Sequence, residues 1–178
     1  MQSKLDFAIV PAGPGDAADL AQVHVRSWRE TYPGILPQAH LDRLSVPIHA
    51  RRWRARLEAA SDIVLVAESA EGLVGFCSGD WAHWSGKERT DAEIHTLYVL
   101  RFAQGLGLGT RLFTSTARAL AARGAQTITV GVLRDNLPAR AFYERLGGVC
   151  EGERVEWVGG VSVPAVDYHW DDLSQFTD

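Results

Sequence analysis

The segment that most constrains this chain lies just past its middle. A β-prone run ending at Leu100 leads through Gly105, Gly107 and Gly109 directly into a helical pattern. A strand-to-helix turn of this kind presents unpaired backbone N–H groups and the positive end of a helix dipole. Glycine also lets the backbone approach a bulky anion. The turn therefore predicts a pyrophosphate-binding loop, and the alternative interpretation is a glycine-rich turn that binds nothing.

Two common phosphate-binding motifs fit this loop poorly. A Walker loop ends in Gly-Lys-Ser/Thr, whereas Gly109 is followed by Thr110 and Arg111, so the motif's lysine is missing. The dinucleotide fingerprint is Gly-x-Gly-x-x-Gly, with an acidic residue about 20 positions further on. Here the glycines alternate, and the next strand carries no carboxylate until Asp135. Neither class of nucleotide-binding loop is favoured.

A third motif fits closely. Residues 104–109 match the pattern Arg/Gln-x-x-Gly-x-Gly/Ala and resemble the pyrophosphate loop of the GCN5-related N-acetyltransferase (GNAT) superfamily. Residues 92–99 resemble that family's preceding strand. Residues 132–147 resemble its later strand and a helix that carries a tyrosine and closes in Leu-Gly. The three blocks stand in the family's order and span residues 92–147.

The hydrophobic pattern predicts the element order β-ααα-βββ-α-β-α-ββ, the last two strands being residues 149–158 and 161–170. Hydrophobic residues make up 46% of the chain and charged residues 22%, which is ordinary for a globular protein. The resemblance implies an α/β (α+β) fold, with a mixed, mostly antiparallel sheet of six to seven strands between helices on both faces. We expect a single N-acetyltransferase domain over residues 1–178.

The predicted strand over residues 92–100 contains an irregularity. Ile94 and Leu97 are three residues apart, so simple alternation would place these apolar side chains on opposite faces. Two explanations are open. A β-bulge between the two residues would restore the phase, or the strand is buried on both faces. The resemblance implies a bulge or a splay of this strand beside the bound thioester.

The resemblance also implies that acetyl-CoA is the cosubstrate and that no metal takes part. Backbone amides of residues 104–110 would hold the pyrophosphate, and an N–H near Tyr98 or Val99 would meet the oxyanion. Asn136 would contact the pantetheine arm or fix its turn, although a helix N-cap explains this residue nearly as well. The predicted cofactor-binding residues are Leu97, Tyr98, Val99, Gln104, Gly105, Leu106, Gly107, Leu108, Gly109, Thr110, Asn136 and Tyr143.

Two residues are predicted to be catalytic. By resemblance, Tyr143 protonates the departing thiolate, since a phenol with a pKa of about 10 is protonated at neutral pH. The alternative is that Phe142 and Tyr143 are an aromatic packing pair. Glu93 lies where relatives place a carboxylate that acts through a water chain, and a surface glutamate explains it equally well. His95 shares a face with Glu93 if no bulge intervenes and could then serve as the base. His24 and His83 are expected to be ordinary polar contacts.

The acceptor is expected to be a primary amine of a small molecule or a protein. In this family the acceptor pocket is built from the first two helices and the loop between the third and fourth strands. That implies Trp28, Tyr32, Trp81 and Trp84 as its lining. Aromatic walls suit a cation or an apolar group, but large aromatic residues are also common in cores. A non-catalytic acyl-CoA-binding module of the same fold is the alternative function.

Charge and composition bear on the remaining partners. The net charge of −4 argues against nucleic acid. The basic run 51–56 is interpreted as the wet face of an amphipathic helix, because Trp53 and Leu57 stand one turn apart. No apolar run approaches 18 residues and no secretory signal is present, so we expect no membrane partner and a cytoplasmic location. Cys77 and Cys150 are predicted to be buried thiols. A homodimer is expected from the habit of relatives.

Overall fold

The computed structural model describes residues 6–82 and 90–177. Within them, seven strands and five α-helices follow one another in the predicted order. The strands are β1 Ala8–Pro11, β2 Ile63–Ser69, β3 Gly72–Trp81, β4 Asp91–Val99, β5 Thr127–Leu133, β6 Val149–Val158 and β7 Val161–Trp170. The helices are α1 Ala17–Thr31, α2 Gln38–Asp42, α3 Val46–Ala59, α4 Leu108–Ala122 and α5 Leu137–Arg145.

The strands form one sheet in the order β1-β2-β3-β4-β5-β7-β6. All neighbouring strands are antiparallel except β4 and β5, which run parallel. The mixed, mostly antiparallel sheet and the α/β (α+β) class are therefore confirmed. The outermost strand on one side is β6, at the C-terminal end of the chain.

Helices cover both faces of the sheet. On one face, Leu20 of α1 and Trp53 of α3 belong to a buried cluster with Phe76 of β3. On the other face, Phe113 of α4 and Tyr143 of α5 belong to the main core cluster. Burying apolar side chains on both faces is what holds such a sheet between two helical layers.

Strands β4 and β5 pair over only part of their length. The parallel ladder runs from Asp91 to Ile94 of β4 and stops there, although both strands continue. At the same point Ile94 faces Gly79 and Thr96 faces Ser78, which leaves His95 as an extra residue in β4. The bulge explanation is thus confirmed, and Leu97 packs against the same core cluster as Ile94. A gap opens between β4 and β5 just beyond the bulge.

Helix α3 carries the basic run on its solvent-facing side. Trp53 is buried, whereas Arg51, Arg52 and Arg54 are exposed, which confirms the amphipathic interpretation. No helix among the described residues is long and apolar enough to cross a membrane.

The two cysteines differ in environment. Cys77 is buried in β3 as predicted, but the prediction for Cys150 is wrong because this thiol is exposed. Cys150 lies in β6, whose residues 149–155 are all exposed. Alternation of residue types along a strand does not reveal that the strand lies at the sheet edge.

Candidate active site

A cleft of about 770 Å³ follows the gap between β4 and β5. Its lining includes residues 93–99 of β4 and 130–133 of β5. Residues 104–110, which we call the pyrophosphate loop, contribute to one part of the lining. Another part of the lining comes from α1, from the residue that follows it and from β6. We call this part the acceptor wall and define it as Trp28, Tyr32, Arg154 and Glu156.

The pyrophosphate loop ends in a helix N-terminus with unused donors. Gly105 and Gly107 have φ angles of 76° and 75°, a left-handed conformation that favours glycine. Arg111 donates its amide N–H to the Gly107 carbonyl at 3.1 Å as α4 begins. The amides of residues 107–110 donate to no acceptor within the described part of the chain. Such donors, together with the helix dipole, favour an anion.

The three glycines have two different roles. A Cβ at Gly105 or Gly107 would meet no atom within 4 Å, so these positions border open space. A Cβ at Gly109 would lie 3.3 Å from the Phe142 ring. Gly109 therefore allows α4 and α5 to pack closely, whereas the first two glycines serve the backbone conformation and leave room for a ligand.

Gln104 holds the loop in place. Its backbone N–H donates to the Arg101 carbonyl at 3.2 Å, and its side-chain Nε2 donates to the Val99 carbonyl at 2.8 Å. The amide of Gln104 is therefore already used within the fold, in contrast to its predicted part in holding pyrophosphate. Leu106, another predicted contact, is 54% exposed and lies outside the cleft lining.

The backbone of β4 offers a further donor to the cleft. Leu100 donates its amide to Val74 at 2.9 Å, which directs this N–H toward β3. Because backbone N–H groups alternate sides along a strand, that of Tyr98 also points to β3 and those of Leu97 and Val99 point to the gap. The predicted oxyanion contact is the backbone N–H of Tyr98 or of Val99. Of these two groups, the N–H of Val99 points toward the cleft.

Tyr98 contributes its side chain instead. Its hydroxyl accepts a hydrogen bond from Trp28 Nε1 at 2.9 Å, so it fixes the orientation of the indole ring in the acceptor wall. Burial raises the pKa of Tyr98 well above its ordinary value. The phenol is therefore neutral at physiological pH and acts as a structural polar contact.

The ring of Tyr143 is packed in the core, and its hydroxyl is available as a hydrogen-bond donor. The residue is 6% exposed, and its ring meets that of Phe142 edge-on at 5.2 Å between centroids. Its hydroxyl makes no hydrogen bond to any described residue, and the side chain lines the cleft. Burial raises the pKa of Tyr143 far above 10, and the Cys77 thiol and the Tyr32 phenol add to the rise. The phenol therefore keeps its proton at neutral pH.

The two candidate bases are neighbours at the bulge. Glu93 Oε1 lies 3.9 Å from His95 Nδ1, and each side chain is 26% exposed. Both residues line the cleft. The bulge intervenes between them, so the simple shared-face argument for His95 does not hold, yet the bulge still leaves the two groups adjacent.

Asn136 caps α5. Its Oδ1 accepts the amide of Ala139 at 3.3 Å, and the residue is 7% exposed in the cleft lining. The N-cap explanation is confirmed. A contact between Asn136 and a bound pantetheine arm stays a prediction.

The predicted acceptor aromatics separate into two groups. Trp28 and Tyr32 line the cleft and meet edge-on at 5.1 Å between ring centroids. Trp81 packs against the main core and is not among the lining residues. It is two residues from Gly79, whose added Cβ would meet Leu120 of α4, so alternation directs Trp81 to the α4 side of the sheet. Trp84 and His83 lie outside the described residues.

His24 is a neutral polar contact behind the acceptor wall. Trp53 Nε1 donates to its Nδ1 at 3.3 Å, and its ring stacks on Tyr98 at 5.3 Å between centroids. Burial, together with the nearby His49 and Arg56, lowers the pKa of His24 to about 3. The expectation of an ordinary polar contact is confirmed, because this imidazole carries no charge at neutral pH.

Sequence reasoning missed the contribution of β6. Arg154 and Glu156 line the cleft, and Arg154 Nη2 lies 2.7 Å from Glu156 Oε1. The available signal was the alternation of these polar residues with Val155 and Trp157, which marks a strand with two different faces. Which face borders a cleft could not be read from that pattern.

The fold and site together define a class of protein. A parallel strand pair that opens beyond a bulge, beside a glycine loop with unused amides at a helix N-terminus, is the arrangement expected of an acyl-CoA-binding transferase. The model described as "Acetyltransferase (GNAT) family" matches residues 21–148. The chain belongs to this family, which confirms the prediction of an acetyl-CoA-dependent acetyltransferase.

Individual relatives agree with this assignment. The uncharacterized N-acetyltransferase YuaI of Bacillus subtilis (strain 168) is 32% identical over 160 residues, covering 89% of this chain and 90% of YuaI. A GCN5-related N-acetyltransferase from Rhodopseudomonas palustris superimposes with a TM-score of 0.75 at 24% identity, covering 96% and 99% of the two chains. The yncA protein of Salmonella typhimurium, solved with acetyl-CoA, has a TM-score of 0.71 at 20% identity, covering 95% of each chain. The two structures share the fold of this chain.

Proposed function

We propose that this protein transfers the acetyl group of acetyl-CoA to a primary amine of a small molecule or a protein, by direct attack in a ternary complex. One observation carries the proposal. A single cleft is lined both by the unused amides of residues 107–110 and by the aromatic and charged acceptor wall. Carrier and amine can therefore meet at the gap between β4 and β5.

The pyrophosphate loop suits the carrier's anionic group. Its donors are main-chain amides, the left-handed glycines Gly105 and Gly107 border open space, and the helix dipole adds a positive field. Acetyl-CoA would supply the activated acetyl group. Asn136 and the backbone of β4 would hold the arm that links this group to the pyrophosphate.

The chain supplies three groups for the chemistry. The amide of Val99 would stabilise negative charge on the acetyl oxygen. Glu93, with His95 beside it, would take the proton of the attacking amine through water. Tyr143 would donate its hydroxyl hydrogen toward the departing sulfur. Because its pKa is raised, Tyr143 contributes first as a hydrogen-bond donor and gives up its proton only as negative charge develops on sulfur.

The proposal includes one domain over residues 1–178, acting in the cytoplasm as a homodimer. Edge strand β6 supports the dimer, since Trp157 is 77% exposed and Val155 is 61% exposed on the face opposite Glu156. Exposed apolar groups on a strand at the edge of a sheet are suited to a second copy. Light scattering should give a dimer for the wild type and a monomer for Trp157→Glu. A wild type that is monomeric at micromolar concentration would contradict this.

The function is tested by thiol release. Purified protein is incubated with acetyl-CoA and a panel of primary amines, and free CoA thiol is measured alongside the equilibrium affinity for CoA. Release that depends on at least one amine supports the proposal. Tight CoA binding without release across the panel would contradict it and favour the non-catalytic acyl-CoA-binding module.

A further inference from the structure

The acceptor wall contains a charged group that the transfer chemistry leaves unexplained. Arg154 of β6 donates through Nε to Asp167 Oδ1 at 2.8 Å, and its Nη2 lies 2.7 Å from Glu156 Oε1. Its guanidinium also lies across β5, where a Cβ added at Gly131 would overlap it. Three strands thus combine to hold this cation between two carboxylates.

The sum of these charges is negative. One guanidinium between two carboxylates leaves a net charge of −1, and Glu156 retains 34% exposure within the cleft lining. Elsewhere in the cleft lining the two acidic side chains, Glu30 and Glu93, are matched in number by Arg101 and Arg145. Glu30 also pairs with Arg26. The acceptor wall therefore attracts a positive group and disfavours a carboxylate.

Aromatic side chains share the cleft lining with Glu156. Trp28 and Tyr32 pack against the same buried cluster as Val158, which follows Glu156 by two residues on the same face of β6. Trp28 uses its N–H on Tyr98 and leaves its ring as a wall beside Tyr32. An ammonium group with an attached methylene chain matches a carboxylate flanked by ring faces.

We propose that the acceptor is a small diamine whose second amino group stays protonated and binds Glu156. This inference rests on the proposed function. The first amino group attacks as the neutral amine: its nitrogen bonds to the acetyl carbon, the carbon–sulfur bond breaks, the base on β4 takes the amine proton and the sulfur acquires one. The products are the monoacetylated diamine and free CoA thiol. Glu156 is thus a specificity-determining residue.

Binding is measured first, without any carrier, by calorimetric titration of 1,4-diaminobutane and of butylamine as the singly charged match. The wild type should bind the diamine about tenfold more tightly than butylamine. Glu156→Gln keeps an oxygen for Arg154 but removes the charge, and it should abolish this preference. Glu153→Gln removes the same charge from the opposite, exposed face of β6 and should behave as the wild type. Equal affinity for the two amines, or a preference retained in Glu156→Gln, overturns the inference.

Thiol release then separates this inference from the function on which it rests. Faster turnover of the diamine, lost in Glu156→Gln and retained in Glu153→Gln, supports both. Equal turnover of butylamine and 1,4-diaminobutane overturns the diamine inference while the transferase function stands. A Glu156-dependent binding preference without release from any amine supports the cation site and contradicts the transferase function.

Discussion

The pyrophosphate loop and the acceptor wall offer a ligand different kinds of group. The loop offers main-chain amides from one continuous segment, residues 107–110. The acceptor wall offers side chains from the end of α1 and from β6, which are distant in the sequence and meet only in the fold. A main-chain site tolerates side-chain change but depends on backbone conformation, whereas a side-chain site changes specificity with single substitutions.

The largest effect is expected from the loop backbone. Gly107→Val should lower CoA affinity by at least about 100-fold, because a branched side chain would fill the open space and disfavour φ of 75°. Loss of one or two charge-assisted hydrogen bonds, each about 1.5–3 kcal/mol, accounts for this size. Calorimetric titration with CoA measures it.

Backbone strain needs its own control. Gly124→Val at the other end of α4 also places valine at a positive φ, 103°, with no atom within 4 Å of its Cβ. It should lower thermal stability and leave CoA affinity unchanged. If Gly107→Val retained wild-type affinity, the main-chain model of carrier binding would be wrong.

The next effect concerns the base. Glu93→Gln should lower kcat/KM about 100-fold at pH 7, the usual size for loss of a general base. The deficit should shrink toward pH 10, where an amine loses its proton to solvent without help. Rate–pH profiles of the wild type and Glu93→Gln check this. A larger deficit in His95→Gln than in Glu93→Gln would transfer the role to the imidazole.

Removal of the phenol should have a smaller effect. Tyr143→Phe is expected to lower kcat about tenfold and to change the Kd of CoA less than twofold, because packing survives and only the donor is lost. Since burial raises the pKa of Tyr143, this group should produce no loss of rate up to pH 10. Steady-state kinetics and titration test both parts, and an unchanged kcat would leave Tyr143 with packing alone.

The smallest expected effect is a pH dependence of folding stability caused by His24, which lies on the side of the acceptor wall. The pKa of His24 is about 3 when folded and about 6.5 when unfolded, so the unfolded state binds the proton first as pH falls. Stability is therefore full above pH 6.5 and is lost toward pH 3, by about 2 kcal/mol between pH 7 and pH 5. Urea unfolding of the wild type and His24→Phe measures it. The variant should lose less, and an identical pH dependence would exclude His24 as the cause.

Several elements could be predicted because their signals are local. The final hairpin was predicted at residues 149–158 and 161–170, as observed, since alternation and a Gly-Gly turn specify it. The spacing of Ile94 and Leu97 indicates an irregular strand with two possible explanations, and the structure decides for a bulge at His95. The loop could be identified from the sequence because left-handed turns and close approach of the backbone to a ligand favour glycine at particular positions.

Other features could not be predicted because they depend on neighbours far away in the chain. Trp81 was assigned to the acceptor pocket, but strand alternation beneath α4 turns it to the core. Cys150 was expected to be buried, but β6 is an edge strand. Arg154 and Glu156 line the cleft although β7 separates β6 from β5, and the Arg154 guanidinium reaches as far as Gly131 of β5.

The amino-acid sequence by itself determined the element order and the position of the glycine loop, because each follows from periodicity or from backbone conformation within a short segment. The tertiary structure alone decided which faces line the cleft and which charges meet there. That is because strand order and the divergence of β4 from β5 bring together residues whose separation along the chain carries no information about their distance in space.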